Sequence, residues 1–120
     1  MRRLLIAAVG LLFANSALAE LPAPLVTGLV NPESVAVTRE GRAFVSTIGE
    51  RDKDGDGQVL EIKYGKAVEF AKGLNDPKGL IAHQKNLYVT DKNRVLKIDD
   101  KGAVTELVAA SAFPKPPLFL

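Results

Sequence analysis

One ten-residue segment occurs twice in this chain, and that repetition constrains the fold more than any other feature. The first copy reads Gly28-Leu29-Val30-Asn31-Pro32-Glu33-Ser34-Val35-Ala36-Val37. The second reads Gly73-Leu74-Asn75-Asp76-Pro77-Lys78-Gly79-Leu80-Ile81-Ala82, and the two prolines lie 45 residues apart. The correspondence runs on. Arg42-Ala43-Phe44-Val45-Ser46-Thr47 answers Asn86-Leu87-Tyr88-Val89-Thr90-Asp91. Val59-Leu60-Glu61-Ile62 answers Val95-Leu96-Lys97-Ile98, and Lys66-Ala67-Val68-Glu69-Phe70 answers Gly102-Ala103-Val104-Thr105-Glu106. Self-similarity at a fixed period marks a fold built by stacking one supersecondary unit.

Each copy holds four short runs rich in Val, Ile, Leu, Phe and Tyr. They predict strands near 34–38, 43–47, 58–63 and 67–71, then near 79–83, 86–91, 94–98 and 103–108. Turn residues separate them: Glu40-Gly41, Tyr64-Gly65-Lys66, Lys92-Asn93 and Asp100-Lys101-Gly102. Helical periodicity is not sustained anywhere after the first 19 residues. The fold class is therefore all-β. Four strands in about 40–50 residues is the period of a β-propeller blade. A β-sandwich is the competing architecture, but it has no reason to repeat Gly-Leu-x-x-Pro at one spacing. Pro32 and Pro77 are placed just before a first strand, where a missing N–H does no harm. The small-apolar runs after them suit an innermost strand between neighbouring blades. Tyr64, Tyr88, Phe44 and Phe70 read as core.

The first 19 residues stand apart from this pattern. Met1-Arg2-Arg3 is a short basic region, residues 4–13 are apolar without charge, and Ala17-Leu18-Ala19 is a cleavage signal before Glu20. This is the layout of a secretory signal peptide, which implies a periplasmic or secreted protein. The apolar run is shorter than the ~20 residues of a spanning helix, which argues against a stable membrane anchor. Without Arg2 and Arg3, 14 basic residues balance 14 acidic ones. No basic field remains to attract nucleic acid. Cys is absent, so packing alone must hold the fold.

The expected organisation is a signal peptide (1–19), an N-terminal segment (20–29), a first blade (30–72), a second blade (73–108) and a connection into a third (109–120). A closed propeller needs at least ~4 blades, and Leu118-Phe119-Leu120 falls where a third copy would open. Pro24-Leu25-Val26-Thr27-Gly28-Leu29 matches Glu69-Phe70-Ala71-Lys72-Gly73-Leu74. Residues 24–27 therefore read as an outer strand that completes the last blade and closes the ring.

The Asn-Pro-Glu-Ser-Val-Ala-Val and Gly-Arg-Ala-Phe-Val-Ser segments, with the second Leu-x-x-Pro-x-Gly-Leu copy, resemble the gluconolactonase / senescence-marker-protein (regucalcin) family of six-bladed propellers. NHL-repeat and strictosidine-synthase-like propellers are close relatives. The resemblance covers about residues 24–120. It implies a divalent metal in the central channel, with Glu33 at the position of one ligand, and metal-dependent hydrolysis of a lactone or related ester. Lys78 stands at the equivalent place in the second copy. Val35 and Val37 depart from the family pattern, and its other ligands and acid/base residue would lie beyond Leu120. The alternative is a non-catalytic propeller of the NHL type that binds a small molecule or a protein.

The sharpest local motif is Asp52-Lys53-Asp54-Gly55-Asp56-Gly57. It lies in a connection of ten residues, 48–57, where the second copy has only Lys92-Asn93. Alternate carboxylates before a glycine open a calcium loop. Counted from Asp52, the twelfth position is Lys63 and not Glu, so an EF-hand is excluded. Two readings stay open. One is a hairpin-type calcium site on Asp52, Asp54 and Asp56, completed by backbone carbonyls and water, with Glu50 nearby. The other is a solvated turn. In a blade the entry to the first strand and the connection between strands two and three share one face, so Glu33 and this loop should lie at the same channel mouth. His83, the only His, reads as structural. Ser46 and Thr47 lack a nucleophile-elbow context, and phosphate-loop, zinc and dinucleotide signatures are absent.

Overall fold

The computed structural model describes residues 19–114. The signal-peptide reading of 1–19 and the last residues of the expected third copy fall almost entirely outside that range.

Eight strands form in chain order: β1 (Pro32–Val37), β2 (Ala43–Thr47), β3 (Gly57–Lys63), β4 (Lys66–Leu74), β5 (Pro77–His83), β6 (Asn86–Asp91), β7 (Arg94–Ile98) and β8 (Val104–Val108). They make two four-stranded sheets, ordered β1-β2-β3-β4 and β5-β6-β7-β8. Every pairing is antiparallel between sequence neighbours. The all-β expectation and the four-plus-four division both hold. A 3-10 turn at Ala110–Ala112 follows β8.

The strand ends differ from the sequence reading in an instructive way. β1 and β5 begin at the prolines themselves, Pro32 opposite Thr47 and Pro77 opposite Asp91. A register irregularity follows each proline, between Pro32 and Ser34 and between Pro77 and Leu80. An irregular ladder tolerates a residue that has no N–H to donate. β4 runs to Leu74, three residues past the predicted end, because Leu74 pairs back to Gly57. Residues 24–27, read as an outer strand, carry no strand assignment.

The core lies between the sheets. Ala36, Phe44, Val59, Ala71 and Leu74 of the first sheet cluster with Leu80, Leu87, Val89, Leu96 and Ile98 of the second. β5 packs against β1 and β2. A Cβ added to Gly57 would overlap the ring of Pro77, so glycine at the start of β3 admits the proline that opens the second sheet. Ser46 is fully buried, and its hydroxyl donates to Lys78 O at 2.8 Å, joining the sheets through a side chain. β1 is less covered than a strand wedged between two layers would be: of its six residues only Ala36 is buried. Tyr64 is not core. It sits in the β3–β4 turn with φ 52° and points fully into solvent.

Two turns meet a neighbouring carbonyl, one tightly and one loosely. Gly102, in the β7–β8 turn, sits against Phe70 O of β4, closer than any Cβ would allow. Strand register pairs Leu60 with Glu69 and Leu96 with Glu106, which shifts the fourth-strand correspondence by one residue from the sequence reading and makes Gly65 the counterpart of Gly102; a Cβ at Gly65 would meet Leu25 O only at ordinary van der Waals distance. Leu25 and Phe70 are equivalent in the sequence repeat. Gly28 (φ 78°) and Gly73 (φ 76°) also match in backbone conformation. Leu25 thus lies beside the β3–β4 turn as Phe70 lies beside the β7–β8 turn, though less closely and without a strand of its own.

Candidate functional site

The acidic connection between β2 and β3 crosses the sheet end at which β1 begins. Ile48 N donates to Asn31 O at 3.1 Å, and Asn31 Nδ2 donates to Gly49 O at 2.8 Å. At its far side Gly55 N donates to Leu74 O at 3.0 Å. The loop is thus tied to the entries of both sheets. Left-handed backbone at Gly49 (φ 73°), Asp52 (φ 61°) and Gly55 (φ 87°) folds it. Gly49 is required on a second count, since the Asp56 carboxylate occupies the space of a Cβ there. Asp56 Oδ2 accepts from Glu50 N at 2.9 Å, so the Asp56 carboxylate closes the loop on itself. Asp56 Oδ1 is buried and has no hydrogen-bond partner among the described residues.

The three aspartates do not converge. Asp54 accepts from Lys92 Nζ at 2.7 Å, a bond that reaches from the short β6–β7 turn of the second sheet. Lys53 Nζ lies 3.2 Å from Glu50 and 3.8 Å from Asp56 Oδ2. These contacts hold both ammonium groups above the ordinary lysine value, chiefly through the hydrogen bonds to Asp54 and to Glu50 respectively. A hollow of about 100 Å³ is lined by Glu50, Asp52, Asp54 and Asp76, with Asn75 and the two lysines. Four carboxylates facing two lysines leave it negative. Among the described residues no group of three or more His, Asp or Glu is gathered tightly enough to hold a metal ion. In this arrangement Lys92 and Lys53 offset only part of the carboxylate charge of the loop.

Glu33 is exposed in β1, beside the irregularity that follows Pro32. Because Pro32 pairs with Thr47, one residue before the loop, Glu33 and residues 48–57 occupy the same sheet end. His83 is exposed at the opposite end of β5, paired with Asn86.

Two buried carboxylates, each held by an arginine, were not foreseen in the sequence, and one of them organises this surface. Asp91 is fully buried. Its Oδ1 accepts from Asn75 N and Asp76 N, both at 2.8 Å. Its Oδ2 accepts from Arg94 Nε at 2.9 Å and Nη2 at 2.8 Å. One carboxylate thereby fixes the β4–β5 connection to the β6–β7 turn, two of the segments that border the acidic hollow. Away from that end, Arg42 grips Glu61 with Nε at 2.8 Å and Nη2 at 3.0 Å. Its guanidinium lies 4.9 Å from the Phe44 ring centre and 5.2 Å from that of Phe70. Arg42 and then Lys63 hold the Glu61 carboxyl below its usual range by hydrogen bonding, against the opposing effect of burial. The repeat itself concealed Asp91, since its equivalent is Thr47. The available signal was an aspartate at a strand end three residues before an arginine.

A larger hollow, about 720 Å³, opens between residues 26–30 and the first sheet. Thr47, Glu50, Asp56 and Gln58 give it a polar wall, and Leu29 and Leu60 an apolar one.

No protein-family model matches the chain, and a search of curated proteins gave no significant match. Among the described residues no helix is long and apolar enough to cross a membrane.

Proposed function

We propose that the two sheets are consecutive blades of an exported six-bladed propeller of the gluconolactonase type, a calcium-dependent hydrolase of a lactone or related ester. The observation that supports the architecture is Phe70 O packed against Gly102, with Leu25 O at a looser van der Waals distance from Gly65. On this reading residues 25–28 stand for an outer strand from a neighbouring blade, the role that closes a ring. The chemistry rests on the resemblance at Glu33 and on its exposure at the sheet end that also carries the acidic loop. Bound there with further oxygen ligands, a divalent metal supplies polarisation of a carbonyl or activation of water.

The protein as exported tests this by lactone hydrolysis with and without a chelator. Calcium-dependent turnover that is lost in Glu33→Gln, with the circular dichroism unchanged, is the expected result. Turnover indifferent to chelator removes the metal from the reading. Saturable binding of a small molecule without turnover marks a non-catalytic propeller of the NHL type instead.

The second part of the proposal is calcium at Asp52, Asp54 and Asp56. The unpartnered Asp56 Oδ1 and the excess of carboxylates around the hollow support it. Lys92 is the competitor. Calorimetric titration should find weaker calcium binding in Asp54→Asn and stronger binding in Lys92→Met. Identical heats in wild type and both variants would leave the loop as a solvated turn.

A further inference from the structure

The two sheets hold the entry of their first strand in different ways. One backbone bond is common to both: Ile48 N donates to Asn31 O and Lys92 N to Asp76 O, each at 3.1 Å. In the second sheet the entry is also pinned to β6, because buried Asp91 accepts from Asn75 N and Asp76 N. Thr47 stands at that place in β2, and among the described residues its hydroxyl takes no such bond. In the first sheet the second tie runs to the acidic loop instead, from Asn31 Nδ2 to Gly49 O at 2.8 Å. Asn31 has left-handed backbone (φ 47°), and the equivalent Asp76 does not.

Glu33 is the residue that this difference ties to the loop. Two steps along β1, from Pro32 to Ser34, match one step along β2, from Thr47 to Ser46, so Glu33 is the extra residue of the ladder. An extra residue has no partner opposite it, and the chain on either side aims its side chain. On the N-terminal side that chain is Asn31-Pro32, held at Gly49 O. Gly49 is held in turn by Asp56: the carboxylate fills the space of a Cβ there, and its Oδ2 accepts from Glu50 N at 2.9 Å. The buried Oδ1 without a hydrogen-bond partner among the described residues belongs to the same carboxylate. A contiguous series of contacts thus leads from Asp56 through Gly49 and Asn31 to Glu33, whereas Asp54 is engaged by Lys92 of the other sheet.

We propose that Asn31 is a positioning residue for Glu33, through which the state of the Asp56 carboxylate sets where Glu33 points at its sheet end. A cation or a substitution that moves this carboxylate displaces Glu50 N and Gly49, and the Asn31 amide carries the shift into the irregular start of β1. The second sheet has its entry tied to Asp91 and makes no such connection, so the response is confined to the first. The part this plays in catalysis rests on the reading of Glu33 as a ligand of the channel metal; the coupling itself does not.

Amide chemical shifts of the isotope-labelled mature chain read the coupling without any metal. Asp56→Ala should move the Glu33 and Ser34 signals about threefold further than that of Val37, at the far end of β1. Asn31→Gly keeps the left-handed backbone and removes only the side chain. In that background Asp56→Ala should move Glu33 and Ser34 no further than Val37. Asn31→Asp has the same shape without the amide donor and should behave like Asn31→Gly; it decides the matter if the glycine variant loses the native circular dichroism. Gly49→Ala, which forces the Asp56 carboxylate aside, takes the place of Asp56→Ala if that variant does not fold. Glu33 signals that ignore Asp56→Ala in the wild-type background, or that respond equally in Asn31→Gly, overturn the inference. Calcium titration of the same samples tests the metal reading separately. Shifts at residues 52–56 and Glu33 together are expected in wild type, and at 52–56 alone in Asn31→Gly. Calcium shifts at 52–56 that leave Glu33 unmoved in wild type also overturn the inference. No calcium shift at 52–56 removes calcium from the loop, and the Asp56→Ala comparison then decides the coupling by itself.

Discussion

Asp91→Ala removes the acceptor of two backbone N–H groups and the partner of a guanidinium from a fully enclosed position. Asn75 N and Asp76 N each lose a 2.8 Å bond in a buried site, and an orphaned buried donor costs about 1–3 kcal/mol. Arg94 is 27% exposed and lies 3.7 Å from Glu106, so water and that carboxylate recover most of its loss. The expected destabilisation is about 3–5 kcal/mol, the range seen when one partner of a buried pair is removed. That is a large part of the stability of a domain of this size, about 5–15 kcal/mol. Asp91→Asn keeps the Oδ1 acceptor and both backbone bonds but sets an amide against Arg94. It should cost about 1–2 kcal/mol, because the amide NH2 accepts nothing from Arg94 and the part-exposed guanidinium must turn to water and Glu106. Urea unfolding followed by circular dichroism reads both. With a slope of about 1.5 kcal/mol/M, the Ala variant should lose roughly 2–3 M in midpoint and the Asn variant roughly 1 M. An Ala variant within about 0.5 M of wild type, or an Asn variant as damaged as Ala, would refute the assignment of Asp91 as the tie between the two turns.

Gly102→Ala should destabilise by about 1–3 kcal/mol, since its φ of 90° and the neighbouring Phe70 O both exclude a side chain; thermal unfolding checks this, with exposed Gly41→Ala as a control for positive φ alone. Ser46→Ala should cost about 1–2 kcal/mol, leaving Lys78 O without its inter-sheet donor, and should lower the protection of β5 amides in hydrogen exchange. The Glu61 carboxyl titrates below its unfolded value, so its bond to Arg42 contributes stability above the ordinary carboxylate range and loses it as pH falls through the lowered value. Glu61→Gln should therefore flatten the acid limb of the stability profile, by about 1 kcal/mol given the solvent exposure of Arg42, and leave the limb above pH 7 parallel to wild type.

The strand pattern was legible because the repeat and the period-two burial agree. In β3 the pattern is regular, with Gly57, Val59 and Glu61 inward. The buried member Glu61 shows the limit: alternation shows which face a residue takes but not that a carboxylate there has an arginine across the strand pair. The acidic loop was legible as a motif and not as a geometry. Its spacing suggests convergence on one cation, while Lys92, brought from the next sheet by tertiary packing, engages Asp54. Tyr64 was misread because an aromatic residue beside a strand suggests core, whereas the turn that begins with it turns the ring out to solvent. Asp91 was hidden for a related reason, since its partners are the backbone of a connection 15 residues away.

The stacking of successive units is tested most directly by nuclear Overhauser contacts in the mature, isotope-labelled chain. The account predicts two matching sets of cross-peaks, Gly102 α-protons to the Phe70–Ala71 backbone and Gly65 α-protons to the Leu25–Val26 backbone. Finding the first without the second would show two stacked sheets and an N-terminal segment that does not take the place of an outer strand, and would contradict the reading of residues 25–28 as part of a further blade.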